Sequence, residues 1–487
     1  MEIGYLPWVL AKHFGTSAAV ADDSTSLSFE DLNRRTEAMA VQLAQFGIGP
    51  GDVVAVKLYN RVELVIALGA AWRLRAAVTP INPGFTAEET NYQLSDSAAK
   101  VVLAERPESG LVAPVLPLSD IVTATAQILP EPVLRGDDRA LLVYTSGSTG
   151  KPKGVMLDHA NCEAMSRMFA EHFRLTVRDH CLLVLPLFHV NAIMISTLAP
   201  LRVGGRLTVL PRFSASGFFT DFERIRPTYF SAVPAMYAML ASLPAEIAPD
   251  TSSLRFAVCG AAPASKELLE ASQRRFGFTI IEGYGLTEST CGATCNPLDG
   301  VRKPGTVGPA FPGQRIKVVD HEGQEVPAGQ AGEVLISGPT VMRGYLGRPE
   351  ATAETVVDGW LHTGDVGVFD EDGYLRIVDR IKDMIIRGGE NIYPKEIENT
   401  ISAIDGVLEA AVVGAPDPIL GEVPVAYVAT YPGVDIAEEQ ILDHCRQYLS
   451  KAKIPLRAAV VETLPKNPVG KIDKPRLRQD LQLQARN

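Results

Sequence analysis

The chain has 487 residues, 46% hydrophobic content, and 46 Lys+Arg against 57 Asp+Glu, for a net charge of −11. At roughly 100–200 residues per domain this predicts two to four domains with substantial buried cores, and it excludes disorder as the main state. An acidic chain with scattered cations lacks the broad footprint of a nucleic-acid binder, so any bound phosphates need a local site.

The six cysteines, at 162, 181, 259, 291, 295 and 445, form no CxxC pair and no Cys/His ligand spacing. That supports neither a zinc site nor a disulfide framework and fits a reducing cytosol. The N-terminus MEIGYLPW carries an acid where a signal peptide carries Lys or Arg, and the apolar run 64–72 stops at Arg73. A run that short does not span a bilayer, so the expectation is a cytoplasmic chain without an integral membrane segment.

In chain order, residues 31–43 space their apolar positions for a helix, 52–58 read as a buried strand and 62–73 again as a helix. Such alternation favours an α/β sheet. From Ala140 the pattern is a strand (140–144), a Ser/Thr/Gly loop, a strand (154–157) and an amphipathic helix from about Asn161. Further strands fall at 182–186, 206–210, 229–233, 256–259 and 280–284. Between Gly305 and Phe369 short strands separated by Gly and Pro predict a β subdomain.

After Asp379 the character changes. Residues 384–387 read as a strand, Gly388-Gly389 as a turn, and Pro394 opens a helix where its missing N–H costs nothing. Strands near 410–413 and 423–431 follow, then a helix from about Ile436 with Ile441, Cys445, Tyr448 and Leu449 on one face. The expected fold class is α/β: a large N-terminal domain of α/β subdomains plus a β subdomain over 1–381, and a small α+β C-terminal domain over 382–487.

Four segments concentrate chemistry. Residues 145–154, TSGSTGKPKG, place hydroxyls, glycines and two lysines directly after a buried strand. Glycines let backbone amides approach phosphates and each lysine is a point charge. The segment is not a Walker loop, because GxxxxGK[ST] is absent and Pro152 precedes a strand. An ordinary Ser/Gly hairpin loop is the other reading.

Residues 283–289, GYGLTES, end a further buried strand with Thr287 and Glu288 side by side. At a strand's carboxyl end, where α/β sheets bind ligands, they suit a phosphate and a Mg²⁺; the other reading is a cap opening the next helix. Asp365, in GWLHTGDVG, is either an acceptor for both hydroxyls of a ribose or a solvated turn aspartate. Lys471, in LPKNPVGKI, is either a charge delivered to an anion or a solvated surface lysine.

Taken together and in order, YTSGSTGKPKG, PLFHV, CGAAP, GYGLTES, GWLHTGDVG, DRIKDMIIRGGENIYPKEIE and LPKNPVGKI resemble the adenylate-forming superfamily of acyl-CoA synthetases, adenylation domains and luciferases along nearly the whole chain. The resemblance implies an ATP site. Thr145, Ser146, Gly147, Ser148, Thr149, Gly150, Lys151 and Lys153 would hold the β- and γ-phosphates. Gly260, Ala261, Ala262, Pro263, Gly283, Tyr284 and Gly285 would border the adenine, with Asp365, Ile377 and Arg380 about the ribose. Thr287 would meet the α-phosphate, Glu288 would bind Mg²⁺, and Lys471 would bridge the acid and the α-phosphate.

It also implies an AMP-forming reaction in two steps, acyl-AMP formation and then transfer to CoA. Between them the C-terminal domain would rotate about Lys382, exchanging Lys471 for the Gly388-Gly389 strand beside the pantetheine path. The acyl pocket would take His189, Val190, Asn191, Val233, Thr290 and Cys291, apolar and small enough for a medium-chain or aromatic acid; nearby Arg255 leaves a dicarboxylate open. Amide synthesis, or acylation of a carrier protein, from the same adenylate is the alternative. The expected partners are ATP, Mg²⁺, CoA or an amine, and a small carboxylic acid, with no nucleic acid; a homodimer is allowed.

Overall fold

In the computed structural model, which describes residues 3–145, 151–262, 264, 266–388, 390–431, 433–466 and 472–484, the alternating pattern of the first two thirds becomes two mixed sheets. The first runs Thr294–Cys295, Ile280–Tyr284, Phe256–Cys259, Tyr229–Ala232, His180–Leu183, Arg206–Val209, Ala18–Ala21, Ser26–Ser28. Its inner neighbours pair in parallel and only its two end strands are antiparallel. The second runs Gly344–Tyr345, Lys153–Asp158, Arg139–Thr145, Ala77–Pro80, Val53–Lys57, Val101–Ala104, Val115–Pro117.

Strands such as Val53–Lys57 and Val101–Ala104 are buried at every position, the near-continuous apolar run expected where helices cover both faces of a parallel sheet. The helix Val62–Arg73 is buried at all positions but Glu63 and lies in the same core as Trp8, Phe29, Phe169 and Phe230. The helix expected from about Asn161 spans His159–His172. Its N-cap is Asp158, whose carboxylate accepts from the Asn161 amide at 2.8 Å while the Asn161 side chain accepts from the Asp158 amide at 3.1 Å. Asn161 is thus the third residue of a capping box rather than the opening residue.

The β pattern of 305–369 becomes a third sheet ordered Arg315–Val319, Gly332–Ser337, Trp360–Phe369, Val356–Val357, with Leu375–Arg380 also on Trp360–Phe369. The chain divides into two compact units, one of residues 1–264, 268–316 and 336–362, the other of 265–267, 317–335 and 363–487.

In the second unit, Glu390–Ile392, Ile385–Arg387, Gly421–Thr430 and Val407–Asp417 form the fourth sheet, joined by Ala458–Val461. Successive residues of Val407–Asp417 face opposite ways. Ala410 and Val412 pack with Ile397 and Ile401 of helix Pro394–Ser402 and with Ile441 and Cys445 of helix Glu438–Tyr448. Ala411 and Val413 pack with Leu464, Leu477 and Leu481, the last two from helix Lys474–Gln484. The apolar face expected of the middle helix is corrected at one position: Tyr448 is 63% exposed. The buried stripe is centred between Ile441 and Leu442, which leaves Tyr448 at its edge with its ring against His444. No helix among the described residues is long and apolar enough to cross a membrane.

Candidate active site

Four parallel strands set the site in the first unit. His180–Leu183, Tyr229–Ala232, Phe256–Cys259 and Ile280–Tyr284 run side by side, with Ser231 opposite Leu183, Ala232 opposite Cys259 and Cys259 opposite Glu282. The segments that follow them, 184–191, Val233, 260–262 and 285–288, therefore leave one edge of one sheet, the carboxyl edge at which open α/β sheets bind ligands. Every described residue expected about the adenine and the acyl group lies on these segments or on Gly283, Tyr284, Thr290 and Cys291 beside them. Pro263 lies outside the described residues.

The backbone here is unusual. Ala261, Thr290 and Cys291 have φ of 66°, 63° and 147°, conformations that cost energy in non-glycine residues and cluster at functional sites. A Cβ on Gly285 would come within 1.9 Å of the Cys291 carbonyl oxygen, so this position tolerates only glycine. The turn is held by the Ser289 hydroxyl, which bonds both the amide and the carbonyl of Leu286, and by the Thr290 hydroxyl, which donates to the Thr340 carbonyl at 2.5 Å.

Thr287–Ser289 is a single 3₁₀ turn, with no following helix to cap, which removes the capping reading of Thr287-Glu288. Glu288 is half-buried, and its Oε1 accepts a 2.9 Å hydrogen bond from the Tyr345 phenol. Burial, and then the Glu288 charge, push that phenol well above its ordinary range, so it remains a donor throughout the working pH range.

Tyr345 also joins Glu288 to the lysine-bearing hairpin. Its strand pairs antiparallel with Lys153–Asp158, Tyr345 opposite Val155, and the Lys153 ammonium sits 4.9 Å from the Tyr345 ring centroid. Thr145 stands opposite Lys153 at the loop end of the hairpin. Lys151 lies 5.7 Å from the ring of Tyr92, whose hydroxyl donates to the Pro152 carbonyl at 2.8 Å. Ser146, Gly147, Ser148, Thr149 and Gly150 lie outside the described residues. No motif pointed to Tyr345; the only sequence signal is an aromatic residue on a short Gly-Tyr strand.

The donor set fits a magnesium ion. Among the described residues no group of three or more His, Cys, Asp or Glu could hold a metal, and Mg²⁺ is commonly bound through one or two carboxylates, substrate phosphates and water. Glu288, one oxygen fixed by Tyr345, supplies such a carboxylate.

On the acyl side, Val190 is buried and His189 and Asn191 half-buried. The Asn191 side-chain oxygen accepts from Ser231 at 2.9 Å. Asn60, which no motif singled out, fixes the loop beneath them. Its amide nitrogen donates to the Leu185 and Leu210 carbonyls at 2.9 and 3.2 Å, and its oxygen accepts from the Leu187 amide at 2.8 Å. Arg255 is ion-paired with buried Asp179 and donates to the Phe173 carbonyl at 3.1 Å. Glu282 is 8% exposed, and burial raises its carboxyl to about 7, opposed by the Gly305 amide.

In the second unit, Asp365 stands opposite Arg380 on adjacent antiparallel strands, and the Arg380 Nε donates to its carboxylate at 2.8 Å. Asp365 is therefore a buried strand residue, 8% exposed, and not a solvated turn aspartate. Ile377 is half-buried on the same strand as Arg380. Lys382 lies in the 3₁₀ turn Ile381–Asp383, its pKa lowered by burial and then by the Arg380 charge. Gly388 has φ of 60° and donates to the Leu420 carbonyl at 2.7 Å. Gly389 and Lys471 lie outside the described residues.

The model of the AMP-binding enzyme family matches residues 8–346, and that of the AMP-binding enzyme C-terminal domain matches 396–471. A feruloyl-CoA synthase of Amycolatopsis sp is 36% identical over 486 residues, covering 98% of each chain. An oxalate–CoA ligase of Arabidopsis thaliana is 35% identical over 481 residues, covering 92% of each. The crystal structure of ATP-bound MatB from Rhodopseudomonas palustris matches with a TM-score of 0.90 at 32% identity, over 99% of each chain. The chain belongs to the AMP-binding enzyme family, and within it is an acid–thiol ligase that uses ATP, Mg²⁺ and CoA.

Proposed function

We propose that this enzyme activates a medium-chain or aromatic carboxylic acid as its acyl-adenylate and then acylates CoA. The observation that carries the choice of acid is the engagement of Arg255. The sequence put it near the expected pocket, but it precedes strand Phe256–Cys259, at the amino edge of the sheet opposite the site, and its guanidinium is engaged by Asp179 and the Phe173 carbonyl. A second carboxylate would then meet no Lys or Arg among the described residues expected in the pocket, and burying it unpaired is costly, whereas Val190, Val233 and Cys291 suit an apolar body.

In the first step a carboxylate oxygen attacks the α-phosphorus and the bond to the β-phosphate oxygen breaks, releasing pyrophosphate. Two anions must meet, so the catalytic work is positioning and charge stabilisation. Thr145, Lys151 and Lys153, with the loop between Thr145 and Lys151, hold the β- and γ-phosphates. Glu288 carries Mg²⁺, whose charge offsets that of the phosphates. Thr287, whose hydroxyl takes no side-chain partner among the described residues, meets the α-phosphate, and Asp365 and Arg380 hold the ribose. Lys471 bridges the two reacting groups.

In the second step the CoA sulfur attacks the acyl carbon and AMP leaves with the bridging oxygen, the thiol proton passing to solvent. A domain spanning 382–487 turns about Lys382, replacing Lys471 with the segment at Gly388 and Gly389.

The test is a pyrophosphate-release screen over carboxylic acids, run with and without CoA and read by mass spectrometry of the product. Octanoate, benzoate or ferulate giving a CoA thioester is the expected result. Turnover confined to dicarboxylates overturns the choice of acid, and an amide or acyl-carrier product overturns the choice of acceptor.

A further inference from the structure

The second unit contains a set of ion pairs that no step above uses. Lys474 and Arg478 stand one turn apart on the helix Lys474–Gln484, which begins three residues after Lys471. The Lys474 ammonium, its side chain 15% exposed, lies 2.8 Å from Glu398 Oε1, whose side chain is 7% exposed. The same carboxylate accepts from the Val412 amide at 2.9 Å and faces the Lys395 ammonium at 3.7 Å, so it belongs to both the helix Pro394–Ser402 and the sheet. Burial works against the Lys474 charge, yet Glu398 and then Asp379 outweigh it and raise its pKa.

Arg478 donates to Asp383 Oδ1 at 2.7 Å, and Asp383 is the neighbour of the expected hinge residue Lys382. At the other foot of the 467–471 segment, Lys466 pairs with Glu409 at 2.5 Å. The two feet are joined by the antiparallel bridge of Lys466 with Ile472 and by the Asp473 amide on the Pro465 carbonyl at 2.8 Å.

We infer that Lys474 and Arg478 are positioning residues for Lys471: their ion pairs with Glu398 and Asp383 fix the helix that follows it in the chain to the segment beside the hinge, so that turning at Lys382 delivers the Lys471 ammonium to one place. This rests on the proposed role of Lys471. Burying a cation on a carboxylate that is also bound to the sheet gives a rigid anchor, and a catalytic group misplaced by about 1 Å loses on the order of a hundredfold in rate. The effect is confined to the step in which Lys471 acts. The thioester step, which uses the opposite face, does not need it.

The test uses the full chain with Mg·ATP and ferulate or octanoate as the probe acid. Single-turnover pyrophosphate release is compared with thioester formation from the chemically made adenylate and CoA. Lys474→Met is expected to slow pyrophosphate release at least about tenfold with KM for ATP little changed and thioester formation retained, and Lys474→Arg to recover most of the loss. Equal loss of both steps, or no recovery with arginine, overturns the inference. If Lys474→Met does not fold, Arg478→Gln, at a more exposed pair, decides: a selective loss supports the inference and a full rate overturns it. Lys471→Ala is the control. Full adenylation by that variant overturns the reading of Lys471 itself, whereas loss there with full rates in Lys474→Met and Arg478→Gln overturns only the present inference.

Discussion

Tyr345 shows how one neutral side chain sets up a charged one. Its phenol donates to Glu288 while its ring lies against the Lys153 ammonium, so a carboxylate and a cation are held apart by an aromatic group instead of neutralising each other. Tyr345→Phe removes the donor and keeps the ring. A hydrogen bond to a charged group contributes about 1.5–3 kcal/mol, so the Mg²⁺ concentration giving half-maximal pyrophosphate release should rise about ten- to a hundredfold. An unchanged Mg²⁺ dependence would remove Tyr345 from the site. Glu282 gives a second prediction at this scale. Its carboxyl is raised from 4.5 to about 7, so the folded state holds a proton that the unfolded state has lost. The stability this brings is full below about pH 4.5 and is lost as pH rises to about 7. At one pKa unit per 1.4 kcal/mol, the loss is on the order of 3 kcal/mol. Glu282→Gln should flatten the fall in Tm between pH 4.5 and 7 and stabilise the protein at pH 8. A parallel fall in both proteins would show that Glu282 is ionised in the fold.

At the scale of elements, the site depends on turns that leave the sheet edge in strained conformations. Gly285→Ala would drive a Cβ into the Cys291 carbonyl, and the turn bearing Thr287 and Glu288 must shift. A loss of at least about a hundredfold in adenylation is expected, with circular dichroism reporting retained fold; full activity would show that the turn does not fix these side chains. The elements themselves were legible where periodicity is strong. The strands 256–259 and 280–284 and the helix 62–73 fall where the apolar pattern put them, because buried strands and a buried helix carry their burial in their composition. Elements whose ends are set by side-chain hydrogen bonds were less legible, as with Asp158 capping the helix 159–172. The motif residues proposed for the site are marked in the sequence by type and spacing. Tyr345, Asn60 and Lys474 are not, since each acts through partners 57, 125 to 150 and 76 residues away in the chain, separations that leave no local pattern.

For the whole molecule, the account assigns the two half-reactions to two faces of the segment after Lys382. Lys471→Ala should lose adenylation by about a hundredfold or more, as for loss of a donor to developing charge, and still make thioester from supplied adenylate. Gly389→Trp should do the reverse by filling the pantetheine path. If both variants, shown to be folded, lose both steps equally, no turning domain separates the steps. The central claim beneath this is that the acid is activated at the α-phosphorus of ATP, and it is tested most directly with octanoate or ferulate carrying oxygen-18 in both carboxylate positions, followed by mass spectrometry of the nucleotide and phosphate products. The account predicts that AMP gains one labelled oxygen while pyrophosphate gains none. Label in inorganic phosphate, with ADP as the nucleotide product, would contradict it.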